Sequence, residues 1–360
     1  MTVSIETQPA IQSRIKEIDF DHLTFGNQYS DHMFQMDFDN GAWDDPRILP
    51  YGPFSIEPGA LGLHYGQSVF EGLKAFRGQD NVVRVFRPDR NAARLTDSCQ
   101  RLCIPPVDEA LFIEAISALI QIDHQWIPSR HGHALYIRPM VIATEAHLNV
   151  KAADQYKFFI MTSPVNAVFG DNPEPISLKA ERRFTRAAPG GMGHAKTAGN
   201  YAASLYPASQ SQKHGHDQVL WLDGVNHQYV EECGQMNIFF KIDGKVITPS
   251  LQGTILPGVT RDSVITLLAD HGIPLEERRL DINEVIDAAD NSTLEEVFGA
   301  GTAAVVAPVG KIEIDHRQVV INDQKPGELS QALYQELVGI QMGVVDDRHN
   351  WNHLVTIDAA

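Results

Sequence analysis

The chain has 360 residues, a formal charge of −17, and 43% hydrophobic against 21% charged residues. That is the profile of a globular enzyme long enough for two cores. The acidic excess argues against a nucleic-acid partner, which needs clustered cations to release counterions, and against docking on an anionic membrane. No apolar run approaches the roughly 20 residues of a membrane span, and the start carries no basic stretch followed by an apolar one, so a cytoplasmic protein is expected.

In chain order, residues 81–88 (NVVRVFRP) read as a strand and 89–104 as a helix stopped by Pro105-Pro106. Cys99 and Cys103, four apart, are expected on one face of that helix as packing residues; a metal pair would need further ligands, and none is predicted. Residues 108–126 open with two acids where a helix dipole favours them, and Phe112, Ile116, Leu119 and Ile120 recur along one face. Residues 133–145 and 156–165 are β-rich. The proline- and glycine-bearing stretch around 168–177 predicts a boundary: a domain over 1–170, a linker over 171–178 and a larger domain over 179–360. Beyond it come a strand (SLKAE), a helix (AGNYAASLYPASQSQ), a meander of strands through YVEECGQMNIFFKIDGKVITPS, a turn and helix over 256–272, a strand pair around GAGTAAV, and a last helix over 328–343. Strands come in groups rather than in strict alternation with helices, so the fold class is α+β.

The stretch GGMGHAKTAGN (190–200) holds one cation, Lys196, among small residues. A phosphate-cradling P-loop needs glycine immediately before the lysine, and Ala195 stands there. LPGVTR is a better phosphate site. Pro257-Gly258 turns the chain into a helix whose free N–H groups and positive dipole end, with the Thr260 hydroxyl, suit an anion. The GAGTAAV turn offers further donors around Thr302 and Ala303. Pyridoxal 5′-phosphate combines a phosphate with an aldehyde that condenses with a lysine amine, and its pyridine nitrogen asks for a carboxylate. Glu231 and Glu232 face opposite ways on a predicted strand, so only one of them can serve.

Six segments stand in the order and spacing of the branched-chain amino acid aminotransferases: LHYGQSVFEGLKAFRG, LYIRP, GHAKTAGNYAASL, EECGQMNIFF, ILPGVTR and GAGTAAVVAPV. From about residue 25 to near 350 the chain resembles that family, whose members are pyridoxal-phosphate enzymes of fold type IV. The resemblance implies a two-domain fold with the cofactor at the domain interface. It also implies transamination of L-leucine, L-isoleucine and L-valine with 2-oxoglutarate, and a homodimer. Position by position it implies Lys196 as the cofactor lysine and proton shuttle. Tyr201 falls to the phenolic oxygen, and Glu232, five residues before Asn237, to the ring nitrogen. Arg94, Val259, Thr260 and Thr302 fall to the phosphate. Tyr65, Phe70, Tyr136 and Arg138 fall to the substrate pocket, with the Ala303 N–H on the substrate carboxylate. Ala304 and Ala307 replace a Cys-x-x-Cys pair of mammalian relatives, and Gln235 replaces a smaller residue near the cofactor. D-Amino acid aminotransferases and aminodeoxychorismate lyase-like enzymes of the same fold type are the alternative; they are usually shorter and lack the LKAFRG and LYIRP context.

Overall fold

The computed structural model describes residues 4–167 and 174–357. The chain groups into two compact units, one of residues 1–167, 195–198 and 339–360, the other of residues 168–194 and 199–338. Of the expected linker, residues 171–173 lie outside the described residues, and from Ile176 the chain is already strand. Residues 195–198 and 339–360, expected with the C-terminal domain, group with the first unit.

The first unit holds strands β1 (Glu6–Thr7), β2 (His32–Asp39), β3 (Ala42–Pro50), β4 (Ser68–Phe70), β5 (Leu73–Arg77), β6 (Val83–Phe86), β7 (Ala134–Ala143) and β8 (Tyr156–Val165). With the C-terminal strand Asn352–Val355 they form one sheet in the order β1-β3-β2-β8-β7-β5-β6, then the C-terminal strand, with β4 also on β7. The β2–β3 hairpin was not anticipated from the sequence, although Asn40-Gly41, both at positive φ (53° and 84°), is a type I′ turn signal. Three helices accompany the sheet: α1 (Leu61–Tyr65), α2 (Pro88–Arg101) and α3 (Glu109–Ile122). Pro88 starts α2 where its missing N–H costs nothing, and Asp108 caps α3 by accepting from the Leu111 N–H at 2.8 Å. The helix expected over 108–126 ends at Ile122 and gives way to a 3-10 turn at His124–Trp126. Phe112, Ile116, Leu119 and Ile120 are buried against Phe34, Ile137, Phe158 and Ile160, as the helical spacing requires. The cysteine expectation holds only in part. Cys99 is buried, but α2 stops at Arg101, and Cys103 lies beyond it, exposed at φ 55°.

The second unit holds β9 (Ile176–Ala180), α4 (Ala198–Lys213, whose first residue belongs to the first unit), β10 (Gln218–Leu222), β11 (Val230–Cys233), β12 (Met236–Ile242), β13 (Lys245–Thr248), α5 (Val259–Asp270), β14 (Leu275–Glu277), α6 (Ile282–Asp290), β15 (Leu294–Gly301), β16 (Val305–Ile314), β17 (Arg317–Val320) and the start of α7 (Glu328–Met342). Pairing runs β11-β10-β9-β16-β15-β12, and β12 pairs again with β11, so these strands close a circuit with no free edge. Phe240, Leu220, Leu178, Val297 and Ile312 fill its core. The units together mix helices with largely antiparallel strand groups, the α+β class. Among the described residues no helix is long and apolar enough to cross a membrane.

Candidate active site

In the first unit the site grows from β4. Its free edge is extended by the lysine segment: Val69 bridges Thr197, the Phe70 N–H donates to the Lys196 carbonyl at 3.0 Å, and the Thr197 hydroxyl donates to the Ser68 carbonyl at 2.8 Å. The backbone N–H of Lys196 donates to Ser98 Oγ at 2.9 Å. Ser98 lies on α2 one turn beyond Arg94, with Asn91 a turn earlier; from one helix face Asn91 and Arg94 reach the β4–β5 turn and Ser98 the Lys196 backbone. Lys196 Nζ stands 5.0 Å from the Phe70 ring centroid. Removal from water, with Arg94 nearby, pushes its amine down to about 8, so roughly a tenth of it is uncharged at pH 7, far more than for an ordinary lysine.

The β4–β5 turn carries Glu71, fully buried. Arg94 grips it with both ends of its fork: Nε donates to Oε1 and Nη2 to Oε2, each at 2.8 Å. Asn91 Nδ2 adds 2.7 Å and the Gly72 N–H 3.1 Å. Burial alone would raise the Glu71 carboxyl, but Arg94, then Lys196 and Asn91, hold it below the ordinary carboxylate range.

Across the sheet, Tyr136 and Arg138 share one face of β7 because strand side chains alternate. The Arg138 guanidinium lies 4.7 Å from the Phe70 ring centroid and 5.2 Å from that of Tyr136, and its Nη2 donates to the Tyr136 hydroxyl at 2.9 Å. Arg138 Nε is buried without a hydrogen-bond partner. A buried donor of that kind, on a cation beside aromatic faces, suits a carboxylate. Of the expected substrate residues, Phe70, Tyr136 and Arg138 therefore gather around Lys196. Tyr65 instead ends α1 with 43% of its surface exposed, and its hydroxyl donates to the Leu148 carbonyl.

In the second unit Glu232 lies buried on β11. Arg186 Nε meets its Oε2 at 2.8 Å, and the Leu256 N–H donates to Oε1 at 2.7 Å. Glu232 pairs in register with Asn237 of β12, whose Nδ2 donates to the Leu256 carbonyl at 2.9 Å. The five-residue spacing thus has a physical reason: it is the β11–β12 hairpin that locks the carboxylate to the loop leading into α5. Glu232, Tyr201, Arg186, Gln235 and Leu256 line one small cavity.

Gly258 is the N-cap of α5 and supplies no side-chain cap, which leaves N–H groups of the first turn at Val259 and Thr260 open to an anion. A Cβ at Gly258 would stand 2.0 Å from Asn237 Oδ1, so only glycine fits this turn. Thr302 and Ala303 lie in the three-residue loop between β15 and β16. Val305 closes that loop at φ 61°, a left-handed conformation that a β-branched residue rarely adopts. Glu231, on the opposite face of β11, accepts from the Thr254 hydroxyl at 2.6 Å, and burial raises its carboxyl.

Each unit therefore contains groups of the kinds pyridoxal 5′-phosphate needs: an available amine and an arginine in the first, an arginine-backed carboxylate and an open helix N-terminus in the second. Sequence reasoning missed Glu71, Asn91, Ser98 and Arg186. Glu71, an acid inside an apolar run, was the available signal for the first of these.

Residues 68–312 match the family model for amino-transferase class IV. Among curated proteins, the branched-chain-amino-acid transaminase 1 of Bacillus subtilis (strain 168) is 49% identical, with 91% of this chain and 93% of that protein covered. The branched-chain-amino-acid aminotransferase of Mycolicibacterium smegmatis is 43% identical over 97% of this chain and 96% of its own. The Escherichia coli branched-chain amino acid aminotransferase superposes with a TM-score of 0.72 at 25% identity, covering 91% of this chain and 99% of that one. A T.th. branched-chain amino acid aminotransferase, solved in complex with N-(5′-phosphopyridoxyl)-L-glutamate, gives 0.73 at 25% identity, covering 89% and 98%. The chain belongs to the class IV aminotransferases, and within them to the branched-chain-amino-acid aminotransferases.

Proposed function

We propose that the protein exchanges the amino group of L-leucine, L-isoleucine or L-valine with 2-oxoglutarate, through pyridoxal 5′-phosphate held on Lys196. The observation that carries the assignment of Lys196 is its amine, desolvated against Phe70 and depressed to about 8 while its backbone is pinned to β4 and α2.

When bound, the cofactor supplies a carbonyl that takes up amino groups and a ring that draws electrons from the carbon being deprotonated. The chain's own residues do the rest. Lys196, once released, removes the α-proton as an uncharged amine and later returns it. Glu232, held in place by Arg186 and the Leu256 N–H, would face the ring nitrogen and keep a proton on it. Tyr201 orients the phenolic oxygen. The first turn of α5, Thr260, Thr302 and Arg94 take the phosphate. Phe70 and Tyr136 provide apolar contacts for the branched side chain, and Arg138 with its buried Nε–H receives the γ-carboxylate of glutamate. The Ala303 N–H takes the α-carboxylate. A homodimer and a cytoplasmic setting belong to the same proposal, carried by the family resemblance.

Borohydride reduction of the coloured enzyme followed by peptide mass spectrometry tests the lysine. A phosphopyridoxyl group on the peptide bearing Lys196, and its loss with activity in Lys196→Ala, are the expected results. Label on another lysine, or an active Lys196→Ala enzyme without added amine, would overturn the assignment. A screen of L- and D-amino acids checks the substrate class.

A further inference from the structure

We propose that Glu71 is a positioning residue that balances the charge of Arg94 and thereby sets the protonation of Lys196. The inference rests on reading Lys196 as the cofactor lysine and adds a residue to which no role in the reaction has been given. Glu71 is fully buried, and both its oxygens accept hydrogen bonds, from Arg94 Nε and Nη2, Asn91 Nδ2 and the Gly72 N–H. Its chain neighbour Phe70 carries the ring beneath Lys196 Nζ and bonds the Lys196 carbonyl.

The charged and titratable groups acting on the Lys196 amine include Arg94 from α2, Glu71 from the β4–β5 turn, and Tyr136 and Arg138 from β7. Two of them, Arg94 and Arg138, are fixed cations, and they and burial push the ammonium toward its neutral form. Glu71 is the carboxylate of the group and acts the other way. Without it, an uncompensated guanidinium would stand in the same low-dielectric space, and the amine would fall below its present value near 8. An amine too weakly basic still condenses with a carbonyl but abstracts a proton poorly. Glu71 therefore holds Arg94 in a fixed fork and keeps Lys196 basic enough to act on the α-carbon.

The test reads the amine directly. Full-length protein freed of cofactor is labelled competitively with acetic anhydride across a pH series, and the Lys196 peptide is quantified by mass spectrometry. Glu71→Gln keeps the shape and removes the charge; its Lys196 midpoint is expected about one pH unit lower, the low end of what loss of a nearby opposite charge produces. Glu71→Asp keeps the charge and is expected to stay nearer the wild-type midpoint. The double variant Glu71→Gln/Arg94→Gln, which removes both charges, is expected to return toward it. An unchanged midpoint in Glu71→Gln, or an equal shift in Glu71→Asp, would overturn the proposal and leave Glu71 a packing acid. Because the labelling involves no cofactor, that failure is separate from failure of the Lys196 assignment, which the borohydride experiment decides.

Discussion

The Arg186 guanidinium and the Glu232 carboxylate form a buried ion pair, Nε to Oε2 at 2.8 Å, and Arg186 reaches on to the Thr254 carbonyl at 2.9 Å. One side chain therefore fixes both the Glu232 carboxylate and the loop that runs into α5. Removing one partner of such a pair leaves a buried charge without compensation, which typically costs about 3–5 kcal/mol. Arg186→Met is expected to lose stability on that scale in urea unfolding. Arg186→Lys, which keeps charge but not the fork, is expected to fall between Met and wild type. Equal stability of Met and wild type would show the pair to be incidental.

Gly72 lies so close to Tyr136 that a Cβ at this position would stand 2.1 Å from the phenolic oxygen. Gly72→Ala is expected to displace the Tyr136 hydroxyl, break its bond with Arg138 and raise the KM for 2-oxoglutarate more than that for leucine. Tyr136→Phe removes the clashing atom. In the double variant, stability is expected to recover by about 1–3 kcal/mol relative to Gly72→Ala, the usual range of overpacking strain. No recovery in thermal unfolding would mean that the backbone, not the hydroxyl, sets the limit.

Lys74 is buried on β5, and desolvation pushes its amine down to about 8. The unfolded chain titrates near the ordinary lysine value of about 10.4. Between these pH values the unfolded state binds more protons than the folded one, so stability rises with pH across that window. Below a pH of about 8 the full penalty of holding a buried ammonium is present. Lys74→Met is expected to flatten the rise between about pH 8 and 10. Urea unfolding at several pH values, on cofactor-free protein so that Lys196 titrates alike in both chains, measures it; an unchanged slope would assign the rise to other groups.

The small residues around the lysine look different once the fold is known. Read along the chain, GGMGHAKTAGN suggests room for a flat ring. In the structure a Cβ at Gly193 would stand 2.2 Å from the Thr254 carbonyl oxygen, and one at Gly191 2.8 Å from that of Ala188. Those glycines let backbone approach backbone, Gly193 against the loop that Arg186 and Glu232 hold and Gly191 within its own turn.

The sequence by itself determined many of the elements and the class of chemistry. Hydrophobic spacing placed α3 and α5, a proline-glycine turn placed the N-terminus of α5, and six segments named the family. Those features are local: each depends on residues within a turn or a strand of one another, so the order of side chains carries them. Charge pairing is not local. Glu71 meets Arg94 from 23 positions away, and Arg186 meets Glu232 across 46, along paths that only the packing of strands and helices defines. The same holds for Lys196, whose neighbours Phe70 and Ser98 lie about a hundred positions earlier. That the lysine is there could be read from the sequence; that it is desolvated, and by what it is balanced, was decided by tertiary structure, because burial and Coulomb energy depend on distance in space and not along the chain.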